Sequence, residues 1–152
     1  MRVTAWTEYS LIIVLALARR QRGAGGPVAA RELAESERLP GDYVEQILLR
    51  LRRAGVVAST RGARGGYTLA RPAEDISVRD VMTASEHQTF ELNCDAHPVH
   101  EERCGAGSTC SIRPVWRALQ QRIDDLLEGI SVADLLQEEA QVHELVTIQS
   151  AG

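Results

Sequence analysis

Three cysteines, Cys94, Cys104 and Cys110, are gathered within 17 residues of a 152-residue chain that has no others. The stretch they bound, CDAHPVHEERCGAGSTC, adds His97 and His100 among Gly, Ser, Pro and acidic residues, a composition for a loop flexible enough to wrap a metal centre. Thiolates and imidazoles are the side chains that bind soft and borderline metals. A structural zinc site could draw on Cys94, His97, His100, Cys104 and Cys110, although the usual closely spaced cysteine pair is absent. Cysteines with no role beyond packing would sit among apolar neighbours, and these do not. A disulfide would leave one thiol over, and an odd count without a secretory signal fits a reducing compartment.

A second chemistry comes from charge. All 17 basic residues are arginine, with no lysine in the chain. Residues 1–72 carry 12 Arg against 6 Asp and Glu, a net of +6, whereas residues 73–152 carry 5 against 15, a net of −10. A basic half joined to an acidic half describes a polyanion-binding part beside one that must not bind polyanions, and nucleic acid is the first candidate. No nucleophile–base arrangement, phosphate loop or substrate-pocket signature is present, so an enzyme is not expected.

Periodicity places these residues on elements. From Thr4, a ready N-cap, to Arg20 the residues Trp6, Tyr9, Ile13, Ala16 and Leu17 recur at helical spacing. Leu11, Ile12, Val14 and Leu15 make this helix apolar on nearly every side, so more than one face is buried. Glu8 falls about 200° around from Trp6 in the opening turn, where a carboxylate also favours the helix dipole. After the loop GAGGP, residues 29–36 read as a short helix and Leu39-Pro40-Gly41 as a turn. Asp42 is placed as the N-cap of a third helix, with Glu45 completing a capping box, running to Ala54 and stopping at Gly55. Val44, Ile47, Leu48 and Leu51 form its inward stripe. Short helix, turn and second helix with a polar, basic face is the helix-turn-helix pattern. The run VVASTRGARGGYTLARP then reads as a hairpin with Arg61 and Arg64 at its tip, which makes a wing beside the helix-turn-helix.

Beyond Pro72, Ser77-Val78-Arg79-Asp80 is a capping-box start for a helix to about Glu86. After the cysteine loop, Ile112, Val115, Trp116, Leu119, Ile123, Leu126, Leu127 and Ile130 trace one long apolar stripe, with little chain left to cover it. A twin helix in a homodimer is the expected cover. Ser131 to Asp134 caps a last short helix, and the tail beyond about Glu144 is expected to be loosely held. The only apolar run that could address a membrane, Leu11–Ala18, is too short to span one, and a cytoplasmic protein is expected. The fold expected is mainly α with a small β-hairpin: a winged helix-turn-helix at 1–72, a linking helix and cysteine loop at 73–111, and a dimerisation helix with its tail at 112–152.

These residues together resemble the Rrf2 family of bacterial winged-helix regulators, whose members include iron–sulfur, nitric-oxide and iron sensors. The resemblance runs through MRVTAWTEYSL, DYVEQILLRLRRAGVV with STRGARGGYTLARP, ISVRDVM, the three cysteines and the closing ISVADL, and so covers nearly the whole chain. It implies that Glu45 and Gln46 read bases, in agreement with glutamate accepting from cytosine N4 and glutamine pairing with adenine. Asp42 and Tyr43 share that helix's DNA side, Arg61 and Arg64 sit at the wing contacts, and Arg50 and Arg53 lie nearer phosphate. It also implies a 2Fe-2S or 4Fe-4S cluster on Cys94, Cys104 and Cys110. Some relatives add a histidine three residues after the third cysteine, where this chain has Arg113. Others add a carboxylate from the first helix of the partner subunit, which Glu8 matches, and His97 and His100 are substitutes within the loop. The nine residues between Cys94 and Cys104 exceed the spacing in the best-known relatives. The expected activity is therefore homodimeric binding to a pseudo-palindromic duplex, with repression controlled by the cluster. The alternatives are a cluster-free regulator acting through thiol oxidation or a protein partner and, from another class, a metal-binding electron-transfer protein.

Overall fold

The computed structural model describes residues 3–86, 100–105 and 109–150. Cys94 and His97 lie outside the described residues. Helix α1 spans Ala5–Arg22; the side chain of its N-cap, Thr4, accepts from Thr7 N–H, and Arg19, Arg20 and Arg22 sit in its last turn. Both ends thus complement the helix dipole. Helix α2 (Ala30–Ser36) and helix α3 (Gly41–Arg53) follow. The inward stripe of α3 is as expected, with Val44, Ile47, Leu48 and Leu51 all fully buried.

The start of α3 differs from expectation. Pro40 occupies the N-cap position with no side-chain cap, so Asp42 is in the first turn and the capping box with Glu45 does not form. Proline's preset φ orders the turn before the helix but provides no side-chain acceptor, and both carboxylates stay exposed. At the other end, Gly55 N–H bonds to Arg52 O and Val56 N–H to Leu51 O at 3.1 and 2.9 Å, the paired carbonyl closure of a Schellman cap.

Strands β1 (Val57–Thr60) and β2 (Gly66–Leu69) form the expected antiparallel hairpin, with Val57 opposite Leu69 and Thr60 opposite Gly66. Val28 extends it by one bridge, exchanging hydrogen bonds of 3.0 and 2.8 Å with Tyr67. Gly66 permits that approach: a Cβ there would lie 2.6 Å from the Val28 carbonyl carbon and oxygen, and its φ is +156°.

A 3-10 turn at Ala73–Asp75 leads to helix α4 (Val78–Glu86). Its capping box is reciprocal: Ser77 N–H donates to Asp80 Oδ2 and Asp80 N–H to Ser77 Oγ, each at 3.0 Å. One turn, α5 (Glu101–Cys104), precedes the longer helix α6 (Arg113–Glu128). The sequence ISVRD of residues 76–80 recurs as ISVAD at 130–134, and the second copy builds the same box, Ser131 N–H to Asp134 Oδ2 at 2.9 Å and Asp134 N–H to Ser131 Oγ at 3.1 Å. The two copies pair with each other, Val78 N–H to Ile130 O at 2.9 Å and Val132 N–H to Ile76 O at 2.8 Å. The result is a clasp joining the chain before α4 to the chain after α6.

Ser131–Asp134 opens a 3-10 turn, Asp134–Leu136, in place of the expected short helix. The expectation of a loose tail is also corrected, because helix α7 runs from Glu139 to Ser150. Leu145 and Val146 of α7 pack on a small cluster of Val78, Met82 and Ile130, which gives this last segment a surface to fold against. The main core joins α1 and α3 to Ile76, Val81 and Val132, so buried apolar surface is continuous from the helix-turn-helix into the clasp. Among the described residues no helix is long and apolar enough to cross a membrane.

Candidate nucleic-acid interface and cysteine segment

Asp42, Tyr43, Glu45 and Gln46 are exposed on α3, as are Arg61 and Arg64 beyond β1. Without a capping box, Glu45 has no hydrogen bond or ion pair among the described residues, so its carboxylate is available to a base edge. Arg52 Nη1 donates to Ser59 Oγ at 3.2 Å and ties the helix to the wing. The adjacent Arg53 is exposed. Helix and wing together present acidic, amide and guanidinium groups, the mixture that base reading plus phosphate contact requires.

Two sequence-predicted residues are also engaged within the fold. The Tyr43 ring lies 5.0 Å from Trp6 and meets Tyr9 edge-on at 5.9 Å. The Arg50 guanidinium sits 4.2 Å over the Trp6 ring and donates to the Ser85 carbonyl at 2.6 Å. Arg50, expected nearer phosphate, is thus directed at α1 and α4. Ser85 is fully buried, its hydroxyl donating to Met82 O at 2.8 Å and lying 3.5 Å from Thr7 Oγ1. Sequence reasoning missed this knot because Arg50 follows the helical spacing of its exposed neighbours. The one available signal was Trp6, a large aromatic at the start of α1 that needs a partner of matching size.

Cys104 ends α5 and is half-buried, and its N–H donates to His100 O at 2.8 Å. Arg113, the first residue of α6, donates through Nη2 to Cys104 O at 3.2 Å. Cys110 lies half-buried just ahead of the same helix. Its thiol is held below the ordinary thiol range, first by the backbone N–H of Arg113, then by that of Ile112, with the Arg113 charge adding to them against burial. Arg113 therefore gathers the backbone at one cysteine and the sulfur of the next, a role that its simple replacement of a histidine did not reveal. A helix N-terminus that stabilises a thiolate suits a metal-ligating sulfur, so the two described cysteines fit the donor set of an iron–sulfur group. His100 and Glu8 are exposed. Among the described residues no three His, Cys, Asp or Glu side chains come together as a metal site, so within one chain Glu8 is not brought into such a group with Cys104 and Cys110.

Helix α6 has no fully buried residue. Leu126 and Leu127 lean on the Val78, Met82 and Ile130 cluster, while Ile112, Val115, Trp116 and Leu119 are 55, 59, 39 and 38% exposed. The apolar stripe is covered at one end and bare at the other.

Comparison with known proteins agrees with this architecture. The HTH-type transcriptional regulator IscR of Erwinia tasmaniensis is 35% identical over 136 residues, which are 90% of this chain and 79% of that protein. The structure of T. potens IscR superposes with a TM-score of 0.70 at 32% identity, covering 93% of this chain and 91% of that one. CymR, the global cysteine regulator of B. subtilis, superposes with a TM-score of 0.68 at 26% identity over 90% of this chain and 96% of its own. The model of the Rrf2 family, described as iron-dependent transcriptional regulators, matches residues 3–138. A helix-turn-helix tied to a basic wing, a cysteine segment and a half-bare helix thus find one common explanation: the chain belongs to the Rrf2 family of winged-helix, DNA-binding transcriptional regulators and is not an enzyme.

Proposed function

We propose that the protein is a homodimeric repressor whose binding to a pseudo-palindromic operator is controlled by an iron–sulfur cluster, 2Fe-2S or 4Fe-4S, held by Cys94, Cys104, Cys110 and Glu8 of the partner subunit. The observation that carries this reading is the setting of Cys110, a sulfur held toward its thiolate form by the start of α6, with Arg113 binding the Cys104 backbone at the same place. When bound, the cluster supplies an iron with one exchangeable ligand, open to nitric oxide, oxidant or iron loss. Glu8 provides that ligand, with His97 and His100 as substitutes. The bare face of α6, from Ile112 to Leu119, pairs the two subunits and spaces two recognition helices along the duplex. Glu45 and Gln46 read bases, with Asp42 and Tyr43 beside them, while Arg53, Arg61 and Arg64 meet the backbone.

Anaerobic purification tests the reading. Wild-type protein is expected to carry iron and labile sulfide with a visible chromophore, and Cys104→Ala to lose it. Colourless protein, free of iron and sulfide even after reconstitution, would refute the cluster. The second reading, a cluster-free regulator acting through thiol oxidation, draws on the same Cys110 setting and on the likeness to the oxidized form of Staphylococcus aureus CymR, with a TM-score of 0.68 at 26% identity.

A further inference from the structure

We propose that Arg50 is a positioning residue: its guanidinium, seated between the Trp6 ring and the Ser85 carbonyl, locks the recognition helix to the end of α4 and passes changes in the cysteine segment to the DNA-reading face. The second half of that statement rests on the regulatory reading above; the first half stands alone.

Geometry leads to the assignment. A guanidinium carbon 4.2 Å over an indole is well within cation–π range of that ring. The 2.6 Å hydrogen bond commits an edge of the same group to Ser85 O, and bonds from a charged donor are about twice as strong as neutral ones. That carbonyl belongs to the last turn of α4, where the helix dipole favours a cation. Ser85 is itself immobilised, being fully buried with its hydroxyl bonded to Met82 O. Glu86 ends α4, and the segment carrying Cys94 follows directly. Ser85 thus stands one residue from the end of α4 on the side toward Cys94 in the sequence, and Arg50 ties that end to α3.

The other end of the grip is on α3 as well. Tyr43, two turns before Arg50 on the same face of the helix, packs its ring 5.0 Å from the same indole. Trp6 thus holds the recognition helix at two points along its length, and the orientation of the intervening Glu45 and Gln46 depends on both. The neighbouring arginines have other tasks, Arg52 on Ser59 and Arg53 exposed. Lysine cannot replace Arg50, because it lacks the planar face that stacks and the fork that reaches the carbonyl in a fixed direction.

The test uses full-length protein and two duplexes: one selected by the wild-type protein from a random library, and a scrambled control. Arg50→Lys keeps a charge but loses the stack; Arg50→Gln keeps a donor but loses charge and stack. Whichever variant retains wild-type circular dichroism carries the comparison. The expected result is about a tenfold or greater loss on the selected duplex, no change on the scrambled one, and an unchanged slope of log affinity against log salt. Equal losses on both duplexes would overturn the assignment: with a slope reduced by about one they indicate a phosphate contact, and with an unchanged slope a residue that only stabilises the fold. Wild-type preference in the variant would also overturn it. The ratio of operator affinities between cluster-loaded and cluster-free protein should fall toward one in the variant, and a retained ratio refutes the coupling. If wild-type protein shows no such ratio, the cluster reading fails, while the two-duplex comparison still decides whether Arg50 positions the helix.

Discussion

Replacing Gly66 by alanine should detach the wing from Val28. An added Cβ would lie 2.6 Å from the carbonyl carbon and oxygen of Val28 and 2.9 Å from its nitrogen, on a residue with φ of +156°. The backbone conformation alone costs about 1–2 kcal/mol in an L-residue. Relief of the clash requires Val28 to move away, which breaks its two hydrogen bonds with Tyr67, of 3.0 and 2.8 Å, each contributing about 1 kcal/mol net. The total is about 3–4 kcal/mol, or a fall in Tm of about 6–16 °C for a chain of this length. Gly62→Ala is the control, since Gly62 also has positive φ, +114°, but nothing lies within 4 Å of an added Cβ. It should lose only the conformational part, about 1–2 kcal/mol. Urea unfolding followed by circular dichroism, at one protein concentration because of the proposed dimer, measures both. Operator affinity should fall further in Gly66→Ala than in Gly62→Ala at temperatures where both are folded. Equal losses of stability in the two variants would refute the reasoning, because the approach to Val28 would then contribute nothing.

The other predictions concern the clasp, the dimer face and the DNA face. Asp80→Ala and Asp134→Ala should each destabilise by about 1–2 kcal/mol as lost caps, and the double variant by about 0.5–1 kcal/mol less than their sum, since both boxes support one bridge; simple additivity in urea unfolding would separate them. Val115→Glu with Leu119→Glu should convert a dimer to a monomer by sedimentation velocity while circular dichroism stays unchanged, and an unaltered dimer would place the interface elsewhere. Glu45→Ala should relax base preference by about 1–3 kcal/mol at one position, whereas Arg64→Ala should weaken all duplexes and reduce the salt slope by about one; competition with single-base operator variants distinguishes the two.

Much of the fold was legible in local chemistry. The buried stripe of α3 follows from four aliphatics at helical spacing, and the hairpin from glycines between two short β-prone runs. The capping box at Ser77–Asp80 was readable because its partners are three residues apart. What was not legible depended on partners remote in the chain. Asp42 had the residue type of an N-cap, but Pro40 had already ordered the turn. α7 forms because Leu145 and Val146 find the cluster under α4, which no local pattern announces. Arg50 has the same spacing as its solvent-facing neighbours, and only the meeting of α1, α3 and α4 turns it onto Trp6. The repeated ISV-x-D was visible as a pair of caps, while its self-pairing required residues more than 50 positions apart to meet.

That clasp also bears on how freely the cysteine segment can change in length. With Ile76–Val78 bound to Ile130–Val132, the 51 residues from 79 to 129 form a loop closed at its base. Closure entropy rises only with the logarithm of loop length, by about 0.6 kcal/mol per doubling. Ten further residues would add about 0.2 kcal/mol, well below the contribution of a single cap. Loop closure therefore opposes insertions and deletions between Cys94 and Cys104 only weakly, and the spacing of those two cysteines can change while the clasp and the DNA-reading domain stay the same.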